Sequence, residues 1–228
     1  YEKIKLRENK GPYSTRSIAI NNANTDWYCQ LDGDDLLSNS FIHTLLNSIN
    51  DNLHADIMYG DIQYIRGNDK SIMRYNETHY DQLPFLLNGN FPIKKKIFFE
   101  LNGFEQQLSY MAADRDFLIR CAINDKKFVY IPKEILYIVR KRENSVGAKR
   151  SASIEKRNKV TKYLHKQYAW YYIDKNYYEV FFIKDIMPMI NYLIKEKQII
   201  ELLRTILNLS YESKLCVINC LLKRIKQR

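Results

Sequence analysis

One stretch of nine residues decides how this sequence is interpreted: Trp27-Tyr28-Cys29-Gln30-Leu31-Asp32-Gly33-Asp34-Asp35. An apolar run, typical of a short buried strand, leads directly into three carboxylates within four positions. These carboxylates repel one another unless a cation lies between them. At the carboxyl end of a strand they lie where open α/β sheets bind ligands. The stretch therefore predicts a metal site, and the alternative is an Asp-rich turn that caps the next helix.

The kind of metal follows from the ligand atoms. Mg²⁺ and Mn²⁺ bind one or two carboxylates together with phosphate oxygens, whereas a calcium-binding EF-hand needs a longer pattern that is absent here. We expect Asp32 and Asp34 to lie on the same side of an extended segment. Gly33 between them lets the backbone approach a ligand closely.

Strands and helices alternate on both sides of this stretch, which predicts an α/β sheet domain. The predicted strands are residues 1–7, 27–31, 57–65, 127–131 and 135–139. The predicted helices are residues 15–24, 37–50, 82–87, 94–101 and 114–123. We expect Ser14 to cap the first helix, Ser38 or Asn39 to cap the second, and Gly103 to end the fourth.

The charge of the chain changes near residue 150. Residues 151–228 contain 15 Lys/Arg against 7 Asp/Glu, while the first 150 contain 21 against 19. We therefore predict two domains, 1–150 and 151–228, of which the second is a basic, aromatic-rich helical extension. The extension either lies on an anionic membrane surface or packs as a helical bundle on the domain or on another subunit. Nucleic-acid binding is disfavoured because no recognition motif for it is present.

The cysteines and the apolar runs indicate the compartment. Cysteines 29, 121, 216 and 220 form no CxxC pair and no zinc spacing with histidine, so we expect free thiols in a reducing cytosol. No apolar run reaches the roughly 18–20 residues of a membrane span. The prediction is a cytoplasmic protein, or one bound peripherally at the inner face of the plasma membrane.

Five stretches, in order along the chain, resemble family-2 glycosyltransferases of the GT-A fold. They are residues 8–17 (ENKGPYSTRS), 27–35 (WYCQLDGDD), 102–105 (NGFE), 113–120 (ADRDFLIR) and 139–145 (VRKRENS). The resemblance implies a Rossmann-like mixed sheet flanked by helices, followed by the helical extension. It implies inverting transfer of a sugar from a nucleotide-diphosphate sugar to an acceptor hydroxyl, with Mn²⁺ or Mg²⁺ as cofactor. The implied acceptor is a glycan or lipid-linked glycan in the synthesis of a bacterial surface polysaccharide such as capsule, lipopolysaccharide or teichoic acid.

The resemblance also assigns roles to residues. Asp34 is predicted as the direct metal ligand, Asp32 as a contact to the metal or the donor ribose, and Asp35 as the donor-site residue that orients the loop. Asp114 matches the position of the general base, with a helix N-cap as the alternative. Arg16 matches an arginine near the donor, with a surface salt bridge as the alternative. We expect Asp116 to hold its helix or a neighbouring arginine.

Three departures from the family pattern qualify these roles. The strands with which the family begins have no counterpart, so we expect an N-terminal strand–helix–strand segment to be missing. This favours, as the alternative function, a non-catalytic binding or assembly module. Ala113 replaces an acidic residue, and Arg142 stands where the family has histidine, which argues against metal ligation there. Arg142 is predicted to bind the donor diphosphate as a bidentate donor, and the alternative for both Arg140 and Arg142 is a solvated basic loop.

Overall fold

The computed structural model describes residues 4–75, 90–108, 110–141, 154–174 and 190 of the 228-residue chain. The chain divides into two units, Tyr1–Ala148 and Lys149–Arg228. The predicted helix at residues 82–87, Arg142 and most of the basic extension lie outside the described residues.

The first unit alternates helices and strands along its described length. In chain order these are α1 (Pro12–Asn22), β1 (Trp27–Tyr28), β2 (Leu36–Leu37), α2 (Phe41–Asp51), β3 (Ile57–Arg66), β4 (Asp69–Met73), β5 (Ile93–Lys94), α3 (Lys95–Glu100), a 3₁₀ turn (Gln106–Leu108), α4 (Ala113–Ile123) and β6 (Phe128–Arg140). The predicted α/β class is confirmed.

Six strands form one mixed sheet in the described part of the chain. Its order is β1-β5-β3-β6-β2, with β4 paired to β3 as the sixth strand. Only the long central pair β3 and β6 is parallel among these pairings, and the others are antiparallel. The first six residues of β3 are buried without interruption. A strand buried on both faces needs such a continuous run, so β3 forms the core of the sheet.

β6 is one strand where the sequence predicted two, separated by Pro132. Its partner β3 spans both halves, and the register between them shifts from Tyr59 to Asp61. The shift occurs at Gly60, where a Cβ atom would lie 2.7 Å from the Leu136 side chain and 2.8 Å from the carbonyl oxygen of Glu134. A glycine on β3 therefore allows β6 to pass at close range where the register shifts.

Helix α1 begins earlier than predicted, and Ser14 lies inside it rather than at its cap. Gly11 is the N-cap residue with a φ of 79°, and Pro12 follows at the first helical position. Proline has a φ suited to a helix start and needs no partner for its missing N–H group. The Oδ1 atom of Asn9 accepts a hydrogen bond from the Gly11 N–H at 3.0 Å. The turn before the helix thus determines where α1 begins.

Several other boundaries were predicted wrongly. Residues 4–7 form no strand, and the strand predicted at 27–31 is limited to β1. The helix predicted at 37–50 begins at Phe41 because Leu36 and Leu37 pair with β6 instead. Strands β2, β4 and β5 were not predicted. The helix stop at Gly103 is confirmed, since this glycine has a φ of 64° and donates its N–H to the carbonyl oxygen of Phe98 at 2.7 Å.

The second unit contains helix α5 (Ile154–Asp174) within its described residues, as the basic helical pattern predicted. Its buried side chains recur at helical spacing, at Thr161, Leu164, Tyr168, Tyr171 and Tyr172. The side chains of Lys156, Lys159, Lys162 and Lys166 are exposed. No helix in the described ranges is long and apolar enough to cross a membrane.

Candidate active site

The three carboxylates lie on a tight turn between β1 and β2, which we call the acidic turn (Asp32–Asp35). The N–H of Asp35 donates to the carbonyl oxygen of Asp32 at 3.0 Å, so the segment is a turn and not the extended segment that was predicted. Because β1 ends at Tyr28, this part of the chain has left the sheet before the first carboxylate. The turn therefore depends on side-chain contacts to hold its shape.

The end of β6 supplies most of these contacts. Arg140 donates its backbone N–H to Asp35 Oδ1 at 2.9 Å and its Nε–H to the carbonyl oxygen of Asp34. The hydroxyl of Tyr137 accepts the N–H of Asp32 at 3.1 Å. Arg140 is thus not part of a solvated basic loop, and the alternative proposed for it is wrong.

The carboxylate of Asp35 faces β6, where the backbone N–H of Arg140 donates to it. Burial raises the pKa of this carboxyl group, the hydrogen bond from the Arg140 N–H lowers it, and the charges of Asp34 and Asp32 raise it again. The net shift is upward. The contacts of Asp35 run to β6, so this side chain anchors the turn to the sheet.

Arg16 of α1 forms an ion pair with Asp32 Oδ1. The side chains of Arg16 and Asp32 remain 21% and 44% exposed, so the pair lies at the surface of a recess rather than in the core. The guanidinium carbon lies 5.0 Å from the ring centroid of Tyr13, one helical turn earlier on α1. Arg16 is thereby held between the acidic turn and an aromatic ring.

Asp114 lies in the first turn of α4, where the helix dipole favours a carboxylate. Ala112, with a φ of 63°, is the N-cap residue, so the alternative role of Asp114 as the N-cap is wrong. Asp114 Oδ1 accepts hydrogen bonds from the hydroxyl of Tyr13 at 2.7 Å and from the N–H of Arg115 at 2.9 Å. A side chain from α1 thus reaches the predicted base.

Four side chains therefore form one connected series: Asp32, Arg16, Tyr13 and Asp114. Tyr13 and Arg16 are three residues apart and share one face of α1. The series contains residues from three of the stretches quoted above, 8–17, 27–35 and 113–120, and α1 links the other two. Tyr13 and Tyr137 were not among the predicted site residues. The i, i+3 spacing of Tyr13 and Arg16 was the only sequence signal for the first, and nothing in the sequence marked the second.

The family model described as Glycosyl transferase family 2 matches residues 1–128. This chain belongs to glycosyl transferase family 2. The predicted family is thereby confirmed. The comparison with curated protein sequences found no significant match.

Solved structures resemble the fold of this family-2 chain. The crystal structure of S. aureus TarS 1-349 in complex with UDP-GlcNAc matches it with a TM-score of 0.53 at 15% identity, covering 70% of this chain and 49% of that one. The structure of S. aureus TarS 1-349 alone matches with a TM-score of 0.49 at 15% identity, covering 74% and 55%. The chain thus spans about half the length of these structures, and at this identity the likeness concerns the fold.

The family fold implies a metal ion, and the residues of the acidic turn fit one. Within the described ranges no side chain donates a hydrogen bond to the carboxylate of Asp34, which is partly exposed. Asp32 uses Oδ1 for Arg16 and is also partly exposed. Among the described residues, no three His, Cys, Asp or Glu side chains lie close enough together to hold a metal ion by themselves. Two carboxylates completed by phosphate oxygens and water are a usual set for Mg²⁺, so this absence does not conflict with the fit.

A cleft of about 280 Å³ opens beside the acidic turn of this family-2 domain. One side is the face of α1 that carries Arg16, and the other consists of residues 28–31. The amide nitrogen and oxygen of Gln30 are buried here without a hydrogen-bond partner among the described residues. An unpaired buried amide is costly, and Gln30, a lining residue of the cleft, has both polar atoms of its amide in this state.

Asp116 has the structural role that was predicted. Its buried carboxylate accepts from Arg120 Nε at 2.9 Å and pairs with Arg120 Nη2 at 2.8 Å. Arg120 also donates to the carbonyl oxygens of Leu101 and Gly103. The pair thus joins α4 to the turn after α3, and Asp114 projects from the same helix.

Proposed function

We propose that this chain transfers a sugar from a nucleotide-diphosphate sugar to an acceptor hydroxyl with inversion at the anomeric carbon. One observation carries the proposal: the series Asp32–Arg16–Tyr13–Asp114, which joins a diphosphate-binding type of turn to a carboxylate on a second element. Family membership supports the reaction class. Such a transfer requires a site that stabilises the departing diphosphate of the donor and a base that deprotonates the acceptor hydroxyl.

Asp114 is the proposed general base. Its carboxylate takes the proton of the acceptor hydroxyl while that oxygen bonds to the anomeric carbon. The bond between the anomeric carbon and the diphosphate oxygen breaks, and the nucleoside diphosphate leaves with the electron pair. Attack and departure on opposite faces of the sugar invert the configuration. The hydrogen bonds from Tyr13 and Arg115 support this role because they hold the carboxylate in one orientation.

The acidic turn and Arg16 are the proposed donor site. Asp34 and Asp32 would hold Mg²⁺ or Mn²⁺, which when bound stabilises the negative charge of the diphosphate as a Lewis acid. Arg16 contributes a positive charge next to Asp32, and Asp35 keeps the turn in place through Arg140. Arg142, which lies outside the described residues, stays a predicted contact to the diphosphate.

The acceptor, the pathway and the location are proposals of the same kind. We propose a glycan or lipid-linked glycan acceptor, in the synthesis of a bacterial surface polysaccharide. The crystal structure of S. aureus TarS 1-349, which has a similar fold, contains UDP-GlcNAc, a nucleotide sugar. The net charge of +8 over residues 151–228 supports attachment to the anionic inner face of the plasma membrane.

The test measures release of nucleoside diphosphate from a panel of nucleotide sugars, with Mn²⁺ and with Mg²⁺. We expect Asp34→Asn and Asp114→Asn each to lower kcat by about 100-fold or more, since they remove charge stabilisation and the base respectively. Asp51→Asn, at the exposed end of α2, is the matched control and should retain full activity. Absence of turnover with every donor, or full activity in both variants, would contradict the proposal. Donor binding without turnover would instead favour the non-catalytic module.

A further inference from the structure

We propose that Tyr13 is a positioning residue that fixes the direction of the Asp114 carboxylate, with α1 setting its place relative to the acidic turn. The inference rests on the proposed function, which makes Asp114 the base.

Tyr13 is buried, and packing of its ring restricts the direction in which its hydroxyl points. The residue is 8% exposed, and its ring meets Phe104 edge-to-face, with centroids 5.3 Å apart and planes at 64°. The hydroxyl then reaches Asp114 Oδ1 at 2.7 Å, the length of a good hydrogen bond to a carboxylate. Burial and the neighbouring Asp114 charge raise the pKa of Tyr13 above its usual range, so the hydroxyl keeps its proton and donates.

Asp114 needs such a donor because its terminal torsion is soft. Rotation of a carboxylate about χ2 is broad and roughly two-fold, so a helix alone does not orient it. The hydroxyl of Tyr13 and the N–H of Arg115 both donate to Oδ1, from two different elements. Two donors on one oxygen define the plane of the group and thereby the direction of the other oxygen.

Hydrogen bonds at the start of α1 hold the helix that carries Tyr13 and Arg16. The hydroxyl of Thr15 donates to the carbonyl oxygen of Gly11 at 2.8 Å, and Asn9 fixes the turn that precedes the helix. One helical turn after Tyr13, Arg16 pairs with Asp32 of the acidic turn. Both carboxylates therefore contact the same helix: Asp114 contacts Tyr13 and Asp32 contacts Arg16.

Tyr13→Phe tests the inference because it removes the hydroxyl and keeps the ring against Phe104. We expect kcat to fall about 10- to 100-fold, the scale of one hydrogen bond to a charged group. The KM for the donor and the melting temperature should stay close to wild type. Tyr64→Phe on β3, which also removes one tyrosine hydroxyl, is the matched control and should leave all three values unchanged.

The double variant Tyr13→Phe with Asp114→Asn separates positioning from a general structural effect. If Tyr13 acts through Asp114, the double variant is no slower than Asp114→Asn alone. Additive losses, a large rise in donor KM or a lowered melting temperature in Tyr13→Phe would overturn the inference. Unchanged kcat in Tyr13→Phe would overturn it while leaving the proposed function intact. A wild-type protein without turnover would remove the proposed function and this inference together.

Discussion

Three carboxylates within four residues meet three different environments in the acidic turn. Asp32 pairs with Arg16, Asp35 accepts from the backbone of β6, and Asp34 has no donor to its carboxylate among the described residues. These three aspartates are close in sequence, but they differ in the hydrogen-bond and ion-pair partners that distant elements supply. The residue with no donor is the one best suited to bind an incoming cation, because nothing has to be displaced.

At the same scale, the two described cysteines illustrate how burial controls reactivity. Burial raises the pKa of Cys29 to about 12 and raises the pKa of Cys121 well above its usual value. A raised thiol pKa leaves less thiolate at neutral pH, and thiolate is the form that reacts.

We therefore expect iodoacetamide at pH 8 to alkylate Cys29 and Cys121 at least about 100-fold more slowly in the folded protein than in urea, since each pKa unit lowers the thiolate fraction about tenfold. Peptide mass spectrometry over a time course measures the two sites separately. Rapid labelling of Cys29 in the folded protein would contradict the burial described for it.

At the scale of elements, an ion pair joins α4 to the turn that follows α3. Asp116, with a side chain 1% exposed, binds Arg120, and Arg120 donates to the backbone of Leu101 and Gly103. Without Asp116, the guanidinium would lie beside the turn with no counter-charge. The position of α4, and with it that of Asp114, therefore depends on this pair.

We expect Asp116→Ala to lower the free energy of unfolding by about 3–5 kcal/mol, because it leaves the partly buried charge of Arg120 unpaired. Urea unfolding followed by circular dichroism measures the change. The matched control is Glu100→Gln, which breaks the exposed Lys126–Glu100 pair and should change the midpoint very little. Equal effects of the two substitutions would show that burial does not distinguish the pairs.

At the scale of the whole molecule, the positive charge is concentrated in the second unit. Residues 151–228 have a net charge of +8, against +2 for the preceding 150 residues. The exposed lysines of α5 lie on a helix whose buried face is largely aromatic. A basic surface of this kind attracts anionic lipid, and salt screens the attraction.

We expect the chain to sediment with vesicles containing about 30% phosphatidylglycerol and not with pure phosphatidylcholine, and to be released by high salt. Lys156→Gln combined with Lys166→Gln should weaken the binding, while leaving the buried face of α5 unchanged. Equal binding to both kinds of vesicle, or to neither, would contradict membrane attachment. Tight, salt-sensitive binding to oligonucleotides would favour the nucleic-acid alternative instead.

The sequence alone determined the features that depend on consecutive residues. The long strand β3 and helix α4 were predicted because their apolar patterns extend over many positions, and the family was predicted because its motifs occur in order. The run of three carboxylates is visible in the sequence, but the strand predicted before it is shorter than expected and the backbone shape of the turn was predicted wrongly. Strands of two residues, such as β1, β2 and β5, contain no period that a pattern could reveal.

Only the tertiary structure decided which distant side chains meet. The hydrogen bond from Tyr13 to Asp114 joins residues 101 positions apart, and the bond from Arg140 to Asp35 joins residues 105 apart. Such contacts depend on the positions of whole elements. Those positions are set by the start of α1, by the close approach of β3 to β6 and by the Asp116–Arg120 ion pair. Composition and spacing carry no information about those distances. The sequence therefore named the carboxylates, and the packing of α1 and β6 decided how each of them is held.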